Sequence, residues 1–228
     1  NLMTKYILTT LTISIISLLL IVQPDIGQTF LIVFSWSVLI FTSGINLFIL
    51  LAFFFLAIIL LTYLIIYIPR FDYIQGRILS FFNRETGTHN FQSDKAIDSI
   101  TSGGFFGKGI GEGILKNRVP EAHTDYIISV ISEEFGVVAI MLILLLFLIF
   151  IYMVFKKISF ETDDKIKLIL IGSISLILMQ ATIHIGVNIR LFPTTGMTLP
   201  FLSYGGSSII STSILAGIIL NLTKRKIN

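Results

Sequence analysis

The stretch Pro120-Glu121-Ala122-His123-Thr124-Asp125-Tyr126 brings two carboxylates and an imidazole together at the end of a polar segment, residues 69–124, that lies between long apolar runs. A carboxylate held at a membrane–water boundary loses part of its hydration. That loss raises its pKa and its strength as a base. Asp125 is the candidate catalytic carboxylate on this ground. Thr124 or Asp125 equally suits the N-cap of the helix that follows, where a side-chain oxygen meets free N–H groups and carboxylates suit the positive end of the helix dipole. The residues alone leave both readings open. Glu121 and His123 are candidates to tune Asp125 or to touch a substrate, and either also reads as a solvated loop residue.

Three further features carry possible chemistry. The glycine-rich run 103–113 would let backbone amides and Lys108 approach a phosphate. Its G-x-G-x-G-x-G spacing matches neither the dinucleotide fingerprint nor the phosphate-binding loop, so a flexible turn between surface helices explains it as well. Gln23-Pro24-Asp25 puts a charge between two apolar runs, which marks either function or the end of a tight turn. Arg190 closes an uncharged run with His184 and Asn188 close by. The latter two, four residues apart, share a helix face and suit hydrogen bonding between helices. Arg190 could reach lipid phosphates by snorkelling.

The elements that position these groups are set by hydropathy. Of 228 residues, 54% are hydrophobic and 13% charged, against about a quarter charged in a soluble domain. The mean hydropathy is +0.93. No Asp, Glu, Lys or Arg occurs in 26–69, 135–155, 168–189 or 191–223. Runs of that length read as transmembrane helices. The expected architecture is therefore an all-α polytopic membrane protein, one integral domain over 1–228. There is no cysteine, which excludes disulfides, thiol nucleophiles and thiolate metal sites. His89, His123 and His184 are too scattered for a metal cage, and nothing in the composition suggests nucleic-acid binding.

Six spans are expected, at 6–22, 26–42, 47–68, 126–155, 168–189 and about 207–222. Pro24 breaks the chain between the first two. The first span has one preceding charge, Lys5, and no small-residue cleavage site after it, so it is not read as a cleaved signal peptide. Tyr73–Phe82 and Asp94–Ile100 are candidate surface helices in the polar segment. Residues 191–206 hold Pro193, Gly196, Pro200, Gly205 and Gly206 and read as a re-entrant or surface loop. Lys5, the group Lys156, Lys157, Lys165 and Lys167, and Lys224-Arg225-Lys226 can all lie on the cytoplasmic side. The 23–25 turn, the 69–124 loop and the 191–206 loop then share the outer face.

Several stretches together resemble the SEDS proteins of bacterial shape, elongation, division and sporulation. They are Gln23-Pro24-Asp25-Ile26-Gly27-Gln28-Thr29, Ser102-Gly103-Gly104-Phe105-Phe106-Gly107-Lys108-Gly109, Pro120–Ile127, Glu133-Glu134-Phe135-Gly136 and Gly196–Ser208. The form Gly196-Met197-Thr198-Leu199-Pro200 is similar to the division branch more than to the elongation branch. The resemblance implies a ten-helix fold of which this chain supplies helices five to ten, with about four helices before it. It implies peptidoglycan glycosyl transfer in the bacterial inner membrane at the division septum, with lipid II as substrate and Asp125 as general base. Glu121, His123, Lys108, Arg70, Arg77 and Arg118 become candidate substrate ligands, the basic ones for the lipid diphosphate. No cofactor is demanded, but a divalent cation, magnesium or manganese, could supply some of that charge. A class B penicillin-binding transpeptidase and other division proteins are the implied partners. A lipid II flippase, and a scaffold recruiting the transpeptidase without chemistry, are the alternatives.

Overall fold

Six apolar helices carry the fold in a computed structural model that describes residues 2–82 and 88–224. Arg84 and Glu85 of the polar segment, and Arg225 and Lys226 of the C-terminal basic cluster, lie outside the described residues. Helices α1 (Leu2–Val22), α2 (Ile26–Thr42) and α3 (Leu47–Tyr67) come first. Surface helices α4 (Asp72–Phe82) and α5 (Thr88–Gly103) follow, then α6 (Ile127–Phe160), α7 (Asp164–Asn188) and α8 (Gly206–Thr223). Five of the apolar helices are long enough to cross a membrane, while α2 has 17 residues. At 1.5 Å per residue α2 covers roughly 25 Å, the lower limit for a span.

Side-chain caps fix where several helices begin. Asp25 accepts from the Gln28 amide at 2.9 Å, Asn46 from Phe48 at 2.9 Å and Asp163 from Lys165 at 2.8 Å. Asp25 is thus the N-cap of α2, which accounts for a charge between two spans. The polar segment is also more ordered in its backbone than two short helices would require, since α5 extends well beyond Asp94–Ile100 in both directions.

Helix α7 is the centre of the bundle. Its most apolar window is 56% buried, whereas the other long spans bury between 6% and 11% of theirs. It packs on α2, α6 and α8. Close approach to α2 depends on Gly172, whose absent Cβ leaves room for the Leu39 side chain. Elsewhere α1, α3 and α6 expose Leu, Ile and Phe side chains, as a lipid-facing surface should.

Successive spans alternate in direction, so the 23–25 turn, residues 69–126 and residues 189–205 collect at one end. Specific bonds tie them together. The Tyr73 hydroxyl donates to Ile21 O at 3.0 Å, linking α4 to the end of α1. Ser203 Oγ donates to Thr124 O at 2.7 Å, and Tyr204 N to His123 O at 2.9 Å. Below this junction Leu31, Ala96, Tyr126, Val130, Ile183 and Met197 form one buried apolar cluster. The lysines between α6 and α7 lie at the opposite end.

One local feature departs from the expected flexible turn. At Gly136 the α6 backbone breaks, with φ 76° and ψ −175°. The break frees carbonyls and amides that a continuous helix would pair, and the glycine run takes them up. Lys108 N and Gly109 N donate to the Glu133 and Glu134 carbonyls at 2.9 and 3.0 Å, and Val137 N donates to Gly104 O at 2.9 Å. Gly103, Gly107 and Gly136 have no room for a Cβ, because each faces backbone of the other segment. Those glycines permit docking, and the amides of Lys108 and Gly109 are spent on α6 rather than offered to a phosphate. Glu133 is fully buried beneath the dock. Its carboxylate accepts from Ser99 Oγ at 3.0 Å and from the Ile114 and Leu115 amides at 3.0 Å, and it faces Lys108 Nζ at 3.4 Å.

Candidate functional site

Asp125 reaches the site through a tight turn that precedes α6. Glu121 has φ 54°, and its carbonyl accepts from Thr124 N at 3.1 Å and Asp125 N at 3.0 Å. Helix α6 starts at Ile127 with Tyr126 as N-cap residue and no side-chain cap. The expectation that Thr124 or Asp125 caps this helix is therefore overturned. The turn lifts Asp125 one residue too early to reach the first free amides, which leaves its carboxylate for other work.

That carboxylate opens into a cleft of about 250 Å³ lined by Arg77, Gln92, Asp125, Tyr126, Thr194 and Gly196, with Val187 and Met197 as its apolar floor. Each wall comes from a different element. Arg77 projects from α4, Gln92 from α5, and Thr194 and Gly196 from the irregular segment after α7. Gly196 turns the chain past the carboxylate at φ 70°, a conformation suited to glycine, and its Cα side lies against Asp125, where a Cβ would stand 3.6 Å from Oδ2. Burial raises the Asp125 carboxyl above its ordinary value, and the nearby Glu121 carboxylate raises it further. The Tyr126 phenol is also raised, chiefly by burial, with a hydrogen bond to Ser93 acting the other way.

Arg77 lines the same cleft from α4. Tyr73, one turn earlier, lies under its guanidinium at 6.0 Å from the ring centroid. Arg77 Nη1 donates to Thr194 O at a long 3.4 Å, and among the described residues no carboxylate pairs with it. A planar guanidinium left with free donors suits a phosphate or carboxylate oxygen. The arrangement thus offers one weakened acid, able to take a proton, opposite one cation able to neutralise an oxyanion.

Of the sequence candidates, the cleft gathers Asp125 and Arg77. Glu121 is exposed beside it, acts on Asp125 through charge, and accepts from Thr124 Oγ1 at 3.1 Å. His123 is exposed, and its carbonyl rather than its ring is engaged. Lys108 is occupied by Glu133. Arg70 and Arg118 are exposed on short 3-10 turns away from the cleft lining. Gln92 and Thr194 line the cleft without belonging to any candidate motif, and Tyr126 closes the stretch 120–126 without being a site candidate there. Thr194 and Gly196 sit in the run 191–206, whose density of breakers is the available signal. Nothing in the pattern around Gln92 marked it.

Asn188 and His184 stand behind the cleft. Asn188 is fully buried and donates to Asp125 O at 3.0 Å and to His184 O at 2.9 Å. His184 Nδ1 meets Met197 O at 2.7 Å. Their helix face binds two other segments, as hydrogen bonding between elements requires.

Residues 1–228, the whole chain, match the FtsW, RodA and SpoVE family of cell cycle proteins. A probable peptidoglycan glycosyltransferase FtsW from Caulobacter vibrioides (strain NA1000 / CB15N) is 35% identical over 212 residues, 91% of this chain and 52% of that protein. A probable peptidoglycan glycosyltransferase FtsW from Francisella salina is 37% identical over 227 residues, 95% of this chain and 55% of that protein. The chain spans about half the length of the curated relatives it matches. A solved chain from work on the structural coordination of polymerization and crosslinking by a peptidoglycan synthase complex superposes with a TM-score of 0.78 at 27% identity, over 98% of this chain and 63% of that one. Fold, motifs and family match agree: this chain belongs to the FtsW, RodA and SpoVE family of cell cycle proteins, with a multi-pass membrane architecture.

Proposed function

We propose that the protein to which this chain belongs is a peptidoglycan glycosyltransferase that polymerises lipid II, with Asp125 as general base. The observation that carries this reading is the Asp125 carboxylate: free of helix capping, partly buried, raised in pKa and lining one cleft with Arg77. The two relatives described as probable peptidoglycan glycosyltransferases support it. In the reaction, Asp125 takes the proton of the acceptor GlcNAc 4-hydroxyl. The oxygen attacks the anomeric carbon of the donor MurNAc with inversion. The glycosidic C–O bond to the lipid diphosphate breaks, and Arg77 stabilises the charge that develops on the departing diphosphate.

The cleft end faces away from the cytoplasm in this reading, because Lys5, Lys156, Lys157, Lys165, Lys167 and Lys224 gather at the other end. The setting is the bacterial inner membrane at the division septum, with a class B penicillin-binding transpeptidase and other division proteins as partners. The peptidoglycan synthase complex found as a structural neighbour supports a transpeptidase partner. Among the described residues no group of three or more His, Asp or Glu side chains is placed to hold a metal. A divalent cation would have to arrive on the diphosphate, and no step here runs through one.

The test uses full-length protein in liposomes with lipid II, measuring polymerisation and transbilayer movement separately. Asp125→Asn is expected to abolish glycan formation and leave movement unchanged. Polymer made at the parent rate would overturn the reading.

A further inference from the structure

Beside the Asp125 cleft lies a second, smaller cavity lined by Arg77, Arg190, Ser80, Ser93 and Thr194, with room for about one water. Arg77 and Thr194 line both spaces, so the two are continuous along one wall. Two arginines, one on α4 and one at the end of α7, thus line the same small volume.

The second arginine is held in an unusual way. Arg190 adopts φ +58°, a left-handed conformation that a side chain other than glycine rarely takes. The conformation closes α7: Arg190 N donates to Val187 O at 3.1 Å and Leu191 N to Gly186 O at 2.7 Å, and this C-terminal cap fixes where the side chain leaves the helix. Its guanidinium forms an ion pair with Asp94 of α5. The Asp94 side chain is 48% exposed and the Arg190 side chain 25%. An exposed carboxylate is an exchangeable partner, since water compensates it readily when it lets go.

We propose that Arg190 and Arg77 form a two-arm subsite for a diphosphate, with Asp94 occupying Arg190 until the ligand arrives. The proposal rests on the reading of the Asp125 cleft as a lipid-diphosphate sugar site and adds a residue to it. Both arms can fork onto phosphate oxygens, a geometry that a lysine in either place would not reproduce. The cavity has room for about one water at rest, so a diphosphate is accommodated as Arg190 exchanges the Asp94 carboxylate for a phosphate oxygen. Ser80 and Ser93 line the same space, the Ser80 hydroxyl donating to Gly76 O at 2.7 Å.

The experiment measures binding without turnover, in nanodiscs holding full-length protein, so its result stands whether or not Asp125 is the base. The probes are undecaprenyl diphosphate, undecaprenyl phosphate and inorganic pyrophosphate. Arg190→Gln is expected to weaken undecaprenyl diphosphate by about tenfold or more, the scale of one charge-assisted contact. It should weaken the monophosphate less. Asp94→Asn, which releases the arginine without removing it, is expected to bind as tightly as the parent or more so. The exchanged pair Asp94→Arg with Arg190→Asp should stay weak. Pyrophosphate binding lost in Arg190→Gln would assign the effect to the headgroup alone. Loss confined to undecaprenyl diphosphate would assign it to the lipid-borne headgroup. If Arg190→Gln and Asp94→Asn weaken binding alike, and the exchanged pair restores it, the ion pair is structural and the proposal is wrong. Unchanged binding of every probe in Arg190→Gln would also overturn it.

Discussion

Asn188 holds Asp125 by its main chain: Nδ2 of the amide lies 3.0 Å from the Asp125 carbonyl oxygen and 2.9 Å from His184 O. The carboxylate is left free while its position is fixed from inside the bundle. Asn188→Leu removes the donor from a fully buried site. A loss of about 1–3 kcal/mol in stability is expected, the cost of leaving a buried acceptor unpaired. Turnover should fall further than the loss of folded protein explains, with KM little changed. Thermal unfolding in detergent, read beside kcat and KM, checks both halves.

The pH dependence follows from the two carboxylates at 121 and 125. Only ionised Asp125 accepts a proton, so activity falls as pH drops through its pKa. Burial places that pKa above the ordinary carboxylate value, and Glu121 adds to the rise. Glu121→Gln removes a negative neighbour, makes ionisation easier and should move the acid limb of the kcat profile to lower pH. Arg77 and Tyr126 line the same cleft and stay in place in this variant. A limb that stayed put or moved upward would show that Glu121 does not set the Asp125 charge.

The α6 break at Gly136 should be intolerant of any side chain. Gly136→Ala would strain the positive φ, at about 1–3 kcal/mol, and its Cβ would collide with the Phe105 carbonyl. The expected outcome is a lower unfolding temperature and protease cleavage within 104–109, because the dock on Glu133 and Glu134 is lost. A variant with parent-like stability and protection would mean that the glycine run is not held by this break.

How much of this was legible beforehand differs by element. The six apolar helices were plain, since uninterrupted runs admit few structures in lipid. Helix α5 was underestimated, because its exposed polar residues give little periodicity. Asp125 was visible as a candidate, but its competing role as a cap could be decided only by the turn at Glu121, whose positive φ no local pattern revealed. The four basic candidates could not be ranked from spacing. Folding separated them, placing Arg77 over the cleft through the Tyr73 staple and giving Lys108 to Glu133. Asn188 reaches Asp125 across 63 residues of sequence, a contact that only tertiary packing creates.

That ranking is itself testable. Arg77→Lys keeps the charge but loses the planar fork, and should raise KM for lipid II by about tenfold. Arg70→Gln and Arg118→Gln should leave kcat and KM near the parent values, as both side chains are exposed away from the cleft. Steady-state kinetics on the three variants decides the order. Equal effects from all three would mean that a diffuse positive field, rather than Arg77, handles the diphosphate.

The proposed general-base role of Asp125 is most directly tested by single-turnover polymerisation with Asp125→Asn, at substrate concentrations that saturate both proteins. The carboxamide keeps the shape of the site and cannot take the proton. A fall in rate of about 10²–10⁴-fold, with lipid II binding unchanged, is the expected result. A rate within a few-fold of the parent at equal occupancy would contradict it, leaving Asp125 a structural residue of the turn before α6.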